Sequence, residues 1–449
     1  MLWFVLYSLL FIVLSYLESR KGQSAEDYFL NSRRSNAHQV GFSIVASCVG
    51  GSATVGMCGL AFAVGMPAVW WLLSGACGLG LLRVFMVPRI RERLQALTMP
   101  EMVEGLIGKP AHRLSCLIIV CAWAAILAAQ FLAMGRIVEA MTGLALQTAM
   151  ACGALVIVIY TWLGGQASVI KSDVIQMAVM AAGLVLIFVV LTAADEPLRS
   201  VPIEWLNDDF ALSDWSRFML LIGGSYVVCP MLFARVMSAQ SESAARRGTT
   251  LGIVGIVFFA FLITAIGIEA RAFVPAGTAG DAVLPQLVSQ LPDWAGTVFF
   301  FVMASAILSS ADSCLITAAT VAANDVLQKP SVAVSRRMIL VLSAAALVIA
   351  VFGESVLGLL LAANSMYVCA VVVPIFVALA ANRALEKTTA AVSIAAAGSL
   401  ALAGELLSIE SLSYIAAAVS LSGSILALML QNRRIPRPAA FCVVSIRKD

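Results

Sequence analysis

Long apolar segments alternate with short polar interruptions along almost the whole chain. About thirteen of these segments are long enough, or nearly so, to cross a hydrocarbon layer of roughly 30 Å as helices. In lipid the backbone must satisfy its own hydrogen bonds, so helices are the expected structure. We number the segments span 0 to span 12 and predict them at residues 1–17, 39–65, 68–88, 114–141, 145–163, 171–194, 215–238, 249–272, 295–324, 338–353, 355–381, 389–408 and 411–431.

Composition and charge narrow the class further. The 449 residues are 61% hydrophobic and 12% charged, with a mean hydropathy of +0.98, whereas a soluble chain carries about 25% charged residues. A net charge of +3 without long basic runs gives no electrostatic basis for binding nucleic acid. Ten scattered cysteines without a Cys-x-x-Cys pair, and only two histidines, predict neither a disulfide framework nor a Cys/His metal site.

The positions of the basic residues predict the orientation in the membrane. Short cytoplasmic loops retain positive charge, and an external N-terminus places 22 of the 28 Lys and Arg in cytoplasmic segments. The segment between spans 5 and 6 carries six acidic residues against Arg199 alone, which is typical of the outer side. We therefore predict a multi-pass protein of the plasma membrane, with the N-terminus outside and the C-terminus in the cytoplasm.

Two spans carry paired glycines near their middle, Gly50-Gly51 in span 1 and Gly223-Gly224 in span 6. Such pairs weaken a helix, and unwound backbone is tolerated inside a membrane where it lines a cavity. The spacing of five spans predicts an inverted repeat with a site at the midplane. Alternatively, the glycines only permit close helix packing. The predicted units are an extra N-terminal span (1–17), a first repeat (39–194), a second repeat (215–381), two C-terminal spans (389–431) and a cytoplasmic tail (432–449).

Carboxylates within the spans are the main candidates for chemistry. In span 8, Ser309, Asp312, Ser313 and Thr320 lie within about 100° of one another on a helix. An aspartate inside a membrane costs several kcal/mol unless it faces a cavity, a partner or an ion. Asp173, near the start of span 5, is the second candidate. Its alternative role is a charge at the helix N-terminus that reaches interfacial water.

With these segments in view, the chain resembles the sodium:solute symporter family, which includes proline, sialic acid, pantothenate and sodium–glucose cotransporters. The resemblance implies an all-α fold of about thirteen transmembrane helices. It also implies a leucine-transporter-like five-plus-five inverted repeat with broken spans 1 and 6. The segments that carry the resemblance are residues 25–30, 50–56, 160–176, 230–239 and 309–313.

The resemblance also implies sites. The main Na⁺ site would use carbonyls of span 1 together with a carbonyl and two hydroxyls of span 8, at Gly51, Thr54, Ala306, Ser309 and Ser310. A second Na⁺ would involve Ser309 and, with it, Asp173, Asp312 and Ser313. The polar candidates for the solute pocket are Ser52, Gln130, Ser225, Tyr226, Asn364 and Tyr367. Each of these could instead make an ordinary bond between helices. Ala53 stands where proline carriers have an acidic residue, which argues against a proline-type site.

The expected function is secondary active transport. We expect Na⁺ as the coupling ion, a small organic solute as the substrate, the lipid bilayer as the setting, and no obligatory protein partner. Two alternatives stay open: a proton-coupled carrier that uses Asp173 or Asp312, and a solute sensor that does not transport. Enzyme activity is not expected, because an intramembrane aspartyl protease needs Tyr-Asp and Gly-x-Gly-Asp pairs that the sequence lacks.

Overall fold

In the computed structural model, the chain forms a bundle of long apolar helices. Residues 2–20, 25–93, 96, 98–193 and 203–431 are described, so the predicted tail 432–449 lies outside them. Eleven of the described helices are long and apolar enough to cross a membrane, or twelve if a bent pair in span 1 counts as one. Span 0 forms the helix Leu2–Ser19, whose sequence is apolar from Leu2 to Leu17. The all-helical membrane class is therefore confirmed.

Helices occur at every predicted span. Their bounds are Leu2–Ser19 (span 0); Ala37–Cys48, Ser52–Gly56 and Met57–Val64 (span 1); Met66–Val69, Trp70–Leu81, Leu82–Met86 and Val87–Arg93 (span 2); Lys109–Thr142 (span 3); Leu146–Gly164 (span 4); Gln166–Ala193 (span 5); Leu212–Phe218, Met219–Gly223, Gly224–Val227 and Pro230–Ser238 (span 6); Glu242–Glu269 and Ala270–Ala272 (span 7); Asp293–Val321 and Ala322–Val326 (span 8); Val332–Phe352 (span 9); Val356–Tyr367, Val368–Val372 and Val373–Ala381 (span 10); Lys387–Leu406 (span 11); and Ser411–Leu430 (span 12). Shorter helices between spans are Ala25–Leu30, Asn31–Arg33, Met99–Leu106 and Gly280–Gln290.

Span 1 is broken at its glycine pair, Gly50-Gly51, as the sequence predicts. The first half ends at Cys48, and Val49 leaves helical geometry with φ −96° and ψ 64°. The second half starts at Ser52, and the two halves bend by 61°. A side chain at Gly50 would place its Cβ 2.3 Å from Ser310 Oγ, so only glycine lets span 8 approach this close to the break.

Span 6 is broken at a different place from the prediction. The helix runs through Gly223 and Gly224 and loses helical geometry at Val228 (φ −137°, ψ 84°) and Cys229 (φ −112°, ψ 127°). The cause is Pro230, which has no N–H and forces the residue before it into an extended conformation.

The glycine pair of span 6 serves packing instead. A Cβ on Gly78 of span 2 would lie 2.1 Å from the Gly223 carbonyl oxygen, and a Cβ on Gly223 would lie 3.0 Å from the Ser74 carbonyl oxygen. The two backbones therefore approach closely at this point, as small residues allow in membranes. Of the two interpretations of the span 6 pair, close packing is the correct one.

Span 8 lies at the centre of the bundle. Within its apolar window, 94% of the residues are buried. It packs against spans 3, 5 and 9, and it also contacts the first half of span 1. Polar residues on span 8 therefore face other helices rather than lipid, which places Ser309, Ser310, Asp312 and Ser313 inside the protein.

Candidate functional site

Two hydroxyls of span 8 converge on the carbonyls that end the first half of span 1. Ser309 Oγ donates to the Ala46 carbonyl at 2.8 Å and to the Ala306 carbonyl of its own helix at 3.0 Å. Ser310 Oγ lies 2.9 Å from the Ser47 carbonyl and 3.3 Å from the Ala46 carbonyl. Both serines are buried. Carbonyl and hydroxyl oxygens gathered at a helix break are the ligand type that Na⁺ prefers.

Gly51 and Thr54, the predicted span 1 ligands, have other partners in this conformation. The Gly51 N–H donates to Gln130 Oε1 at 2.8 Å, so Gln130 satisfies a backbone donor exposed by the break. Thr54 Oγ1 donates to the Gly50 carbonyl at 2.9 Å and lies 3.4 Å from the Gly51 carbonyl. Ser309 and Ser310 thus contact the Ala46 and Ser47 carbonyls, which precede the break. That Gly51 and Thr54 bind Na⁺ together with span 8 stays a prediction.

Next to the serines lies a fully buried ionic cluster. Asp173 is 0% exposed, so it is not a helix-end charge that reaches interfacial water. Its Oδ2 accepts from Ser43 Oγ at 2.5 Å and lies 3.4 Å from Arg235 Nη2. Arg235 is also 0% exposed, and its Nε donates to Ser43 Oγ at 3.1 Å. The Arg235 guanidinium donates to Ser313 Oγ as well, which links spans 1, 5, 6 and 8.

Asp312 gives this cluster a second carboxylate. It is 0% exposed, and its Oδ1 accepts from Ser313 Oγ at 3.1 Å. Among the described residues, Asp173 Oδ1 and Asp312 Oδ2 are buried without a hydrogen-bond partner. With both carboxylates ionised, the two negative charges face one guanidinium, so the cluster has a formal charge of −1. A buried unpaired charge is costly, and one bound cation would neutralise it.

Sequence reasoning missed the charge partner in this cluster. Arg235 belongs to the family pattern at residues 230–239, but its position in the chain does not indicate which carboxylate it faces. The sequence does show that Arg235 is a cation inside a predicted span, and such a residue normally pairs with a carboxylate inside the bundle. That signal could have indicated a carboxylate partner for Arg235.

Five of the six predicted solute residues are buried and Tyr226 is half-buried, and none of them lines either of the two cavities described below. Ser225 Oγ donates to the Ile222 carbonyl of its own helix at 2.9 Å. Tyr226 packs over Gly75 of span 2. Ser52 and Asn364 are 6% and 5% exposed. These contacts are of the kind that membrane helices make with one another, and the roles of all four residues in solute binding stay predictions.

Tyr367 of span 10 stabilises the break in span 6. Its hydroxyl donates to the Val228 carbonyl at 2.5 Å, at the point where the helix is interrupted. Its ring packs edge-on against Trp123 of span 3, with centroids 4.9 Å apart. Tyr367 and Gln130 therefore have equivalent roles at the two breaks. Tyr367 donates a hydrogen bond to the Val228 carbonyl and Gln130 accepts one from the Gly51 N–H, and the interrupted helices leave both of these backbone groups unpaired.

Replacing Tyr367 with phenylalanine is expected to lower stability by about 1–3 kcal/mol, because the Val228 carbonyl would be buried without its partner. Thermal unfolding in detergent measures this loss. Tyr414→Phe is the control, since the Tyr414 hydroxyl lies in exposed contacts at the end of span 12. Equal, small shifts in both variants would contradict the proposed role of the Tyr367 hydroxyl.

The cavities differ in size at the two ends of the bundle. A 620 Å³ cavity at the predicted outer end is lined by residues that include Phe62, Asp208, Asp209 and Arg271. A 20 Å³ cavity on the predicted cytoplasmic half is lined by residues that include Gln166, Pro230 and Thr320. The second volume holds about one water molecule.

Comparison with known proteins places this geometry in a family. The sequence profile described as "Sodium:solute symporter family" matches residues 28–198 and 206–395. The sodium/pantothenate symporter of Haemophilus influenzae is 25% identical over 341 residues, covering 70% of this chain and 68% of that protein. The sodium/proline symporter of Escherichia coli is 23% identical over 390 residues, covering 79% and 78%.

A solved structure supports the same fold. It is described as the substrate-bound outward-open state of a Na⁺-coupled sialic acid symporter, and it matches with a TM-score of 0.79. The identity is 17%, and the match covers 96% of this chain and 98% of the other. At that identity the likeness concerns the fold.

Proposed function

The chain belongs to the sodium:solute symporter family, and from that membership we propose that it imports a small neutral or zwitterionic organic solute together with Na⁺ by alternating access. As a member it is a sodium-coupled transporter in a membrane, with Na⁺ as its coupling ion, and not an enzyme. The solute class and the alternating-access cycle are our proposals.

One observation carries the proposed Na⁺ site: Ser309 and Ser310 of span 8 converge on the Ala46 carbonyl at the break of span 1. In our proposal Na⁺ replaces these hydrogen bonds and holds span 8 against the broken helix. The span 8 ligands are Ala306, Ser309 and Ser310, and span 1 supplies carbonyls, with Gly51 and Thr54 as the predicted ones. The ligands are neutral, so we expect the ion to be bound weakly enough for release.

Coupling would follow from the shared break in span 1. Ion and solute both stabilise the arrangement of its two halves, so each favours binding of the other. Each Na⁺ that enters under a potential of −100 mV supplies about 2.3 kcal/mol, before the concentration gradient is added. That energy is available to accumulate solute.

The Na⁺ gradient sets the direction of transport, and the orientation sets which end of the bundle faces the outside; we propose that the N-terminus is outside and the C-terminus in the cytoplasm. The distribution of Lys and Arg supports it. Protease access to a C-terminal tag tests it: cleavage in inside-out vesicles but not in right-side-out vesicles is expected, and the reverse pattern would refute it.

Uptake by the purified protein in liposomes tests the proposed function. The relatives suggest proline, pantothenate and sialic acid as first solutes, alongside a broader panel of neutral and zwitterionic compounds. We expect an inward Na⁺ gradient to drive accumulation that an equal K⁺ gradient does not. Accumulation that does not depend on Na⁺ and is abolished by a protonophore would overturn sodium-coupled import. Binding of a solute without any accumulation would favour the sensor alternative.

A second cation is proposed for the buried cluster of Asp173, Asp312 and Ser313. Its support is the formal charge of −1 that the cluster carries when both carboxylates are ionised, together with the two carboxylate oxygens that have no hydrogen-bond partner in the described part of the chain. Because Arg235 already supplies one positive charge, one further cation suffices for neutrality.

Asp173→Asn is expected to abolish this second binding event, since it removes the negative charge that requires it. If the second cation is Na⁺, the Hill coefficient for Na⁺ activation of uptake should fall from above one to about one. Asp281→Asn is the control, because Asp281 accepts the Val356 N–H at 2.9 Å outside the cluster. A wild-type Hill coefficient of about one would indicate a single coupling ion, and a coefficient that stays above one in Asp173→Asn would show that the second ion does not need Asp173.

A further inference from the structure

Three side chains with metal-binding atoms meet where span 3 begins and span 8 ends. One ring nitrogen of His112, Sγ of Cys116 and a carboxylate oxygen of Asp325 all lie within 4.8 Å of one another. His112 and Cys116 are four residues apart on one helix, so they share a face. The three residues are 8%, 3% and 6% exposed. The group lies at the end of the bundle predicted to be cytoplasmic, away from the serines and the Asp173 cluster.

The surroundings orient the His112 ring. Its Nδ1 lies 3.0 Å from the Pro100 carbonyl oxygen, which can only accept a hydrogen bond. The neutral ring therefore carries its proton on Nδ1, and Nε2 keeps the lone pair. Glu104 Oε2 lies 3.6 Å from the same Nδ1. An imidazole held by a backbone carbonyl and a nearby carboxylate is the usual support of a metal-binding histidine.

Asp325 has one oxygen without a partner. Its Oδ1 accepts from Thr98 Oγ1 at 2.9 Å and lies 3.3 Å from Asn324 Nδ2. Among the described residues, its Oδ2 is buried with no hydrogen-bond partner. A buried orphan oxygen of this kind is costly unless a ligand satisfies it.

We propose that His112, Cys116 and Asp325 bind a divalent transition-metal ion of the zinc type. A thiolate, an imidazole and a carboxylate form a mixed donor set that suits Zn²⁺, which takes four ligands in a tetrahedral arrangement. Water fills the fourth position. Metal–ligand bonds of about 2.0–2.3 Å require the three donor atoms to contract toward one another by about 1 Å. Cys116 releases its thiol proton to solvent when the metal binds.

The proposed site departs from the expectation that the sequence holds no Cys/His metal site. The ligands are spread over two spans, and no local spacing pattern joins them. A metal here would tie span 3 to the same helix that carries Ser309 and Ser310. Zn²⁺ on the cytoplasmic side should therefore restrain movement of span 8. The site itself does not depend on the proposed function, because it rests on different residues.

Cobalt titration of the purified, metal-stripped protein tests the proposal. Co²⁺ bound at the site is expected to give a thiolate-to-metal charge-transfer band and visible d–d bands, and Zn²⁺ should abolish both. Metal analysis should give about one Zn²⁺ per chain. Cys116→Ser is expected to lose the charge-transfer band and at least about tenfold in Zn²⁺ affinity.

Cys121→Ser is the matched control, since Cys121 lies on the same helix but is exposed. It should keep the band. Asp325→Asn is a second variant that preserves side-chain size, and it should keep the charge-transfer band while losing Zn²⁺ affinity. The proposal is overturned if the wild type shows no band that Zn²⁺ displaces, if the band survives in Cys116→Ser, or if Cys121→Ser removes it equally.

Discussion

Replacing Arg235 with methionine is expected to destabilise the protein by about 3–5 kcal/mol, which is the usual cost of leaving a buried charge uncompensated. Arg235 is fully buried, and its guanidinium contacts Asp173, Ser43 and Ser313. Without it, Asp173 and Asp312 would both be buried with no positive charge beside them. The midpoint of thermal unfolding in detergent measures the loss. Added Na⁺ should stabilise the variant more than the wild type, because it can supply the missing charge.

Arg246→Met is a closely matched control for this experiment. Arg246 also lies 3.4 Å from a carboxylate oxygen, that of Glu242, but its side chain is 43% exposed. Exposed pairs of this kind contribute about 0–1 kcal/mol. The double variant Asp173→Asn with Arg235→Met should recover part of the stability lost in Arg235→Met. If Arg235→Met and Arg246→Met shift the midpoint equally, the buried cluster does not depend on Arg235.

Removing the Ser309 hydroxyl is expected to weaken Na⁺ activation of uptake by about tenfold or more. A tenfold change corresponds to about 1.4 kcal/mol, the scale of one lost ligand. The reason is that Ser309 Oγ is one of the two hydroxyls that approach the Ala46 carbonyl at the break of span 1. The Na⁺ concentration that gives half-maximal uptake in Ser309→Ala measures the effect.

Ser305→Ala separates a lost ligand from a general disturbance of span 8. Ser305 lies one turn earlier on the same helix, is buried, and donates to the Phe301 carbonyl at 2.6 Å. In the described part of the chain, Ser305 makes no hydrogen bond to a carbonyl of span 1. Its Na⁺ dependence should match the wild type. If Ser309→Ala also keeps wild-type Na⁺ activation, Ser309 is not a ligand.

The membrane class and the break in span 1 could be predicted from sequence because both depend on local patterns. Long apolar segments require helices in lipid. The Gly50-Gly51 pair lies at the observed break, where span 8 packs so closely that a side chain on Gly50 would clash with Ser310. At Gly223-Gly224 the same pattern misled, since Gly223 allows close packing with span 2 and Gly224 packs against Val368 of span 10. Pro230 was the better signal, because its missing N–H acts whatever packs nearby.

The charge cluster and the proposed metal site were less accessible to sequence reasoning. Both depend on which helices are neighbours and on how each is rotated about its axis. Hydropathy indicates that Asp173 and Arg235 lie inside the membrane, but not that they face each other across spans 5 and 6. The same holds for Cys116 and Asp325, which spans 3 and 8 bring together. The inverted repeat and the solute pocket stay predictions.

The most direct test of the account is the effect of cations on thermal stability of the purified protein in detergent. Na⁺ is compared with K⁺ and choline in the wild type, Ser309→Ala and Ser310→Ala. A ligand at 100 times its Kd stabilises by roughly 2.7 kcal/mol, which is readily measured. We expect Na⁺, but not K⁺ or choline, to stabilise the wild type, and we expect both variants to need at least about tenfold more Na⁺ for the same stabilisation. Stabilisation by choline equal to that by Na⁺, or full Na⁺ stabilisation of both variants, would contradict a Na⁺ site between spans 1 and 8.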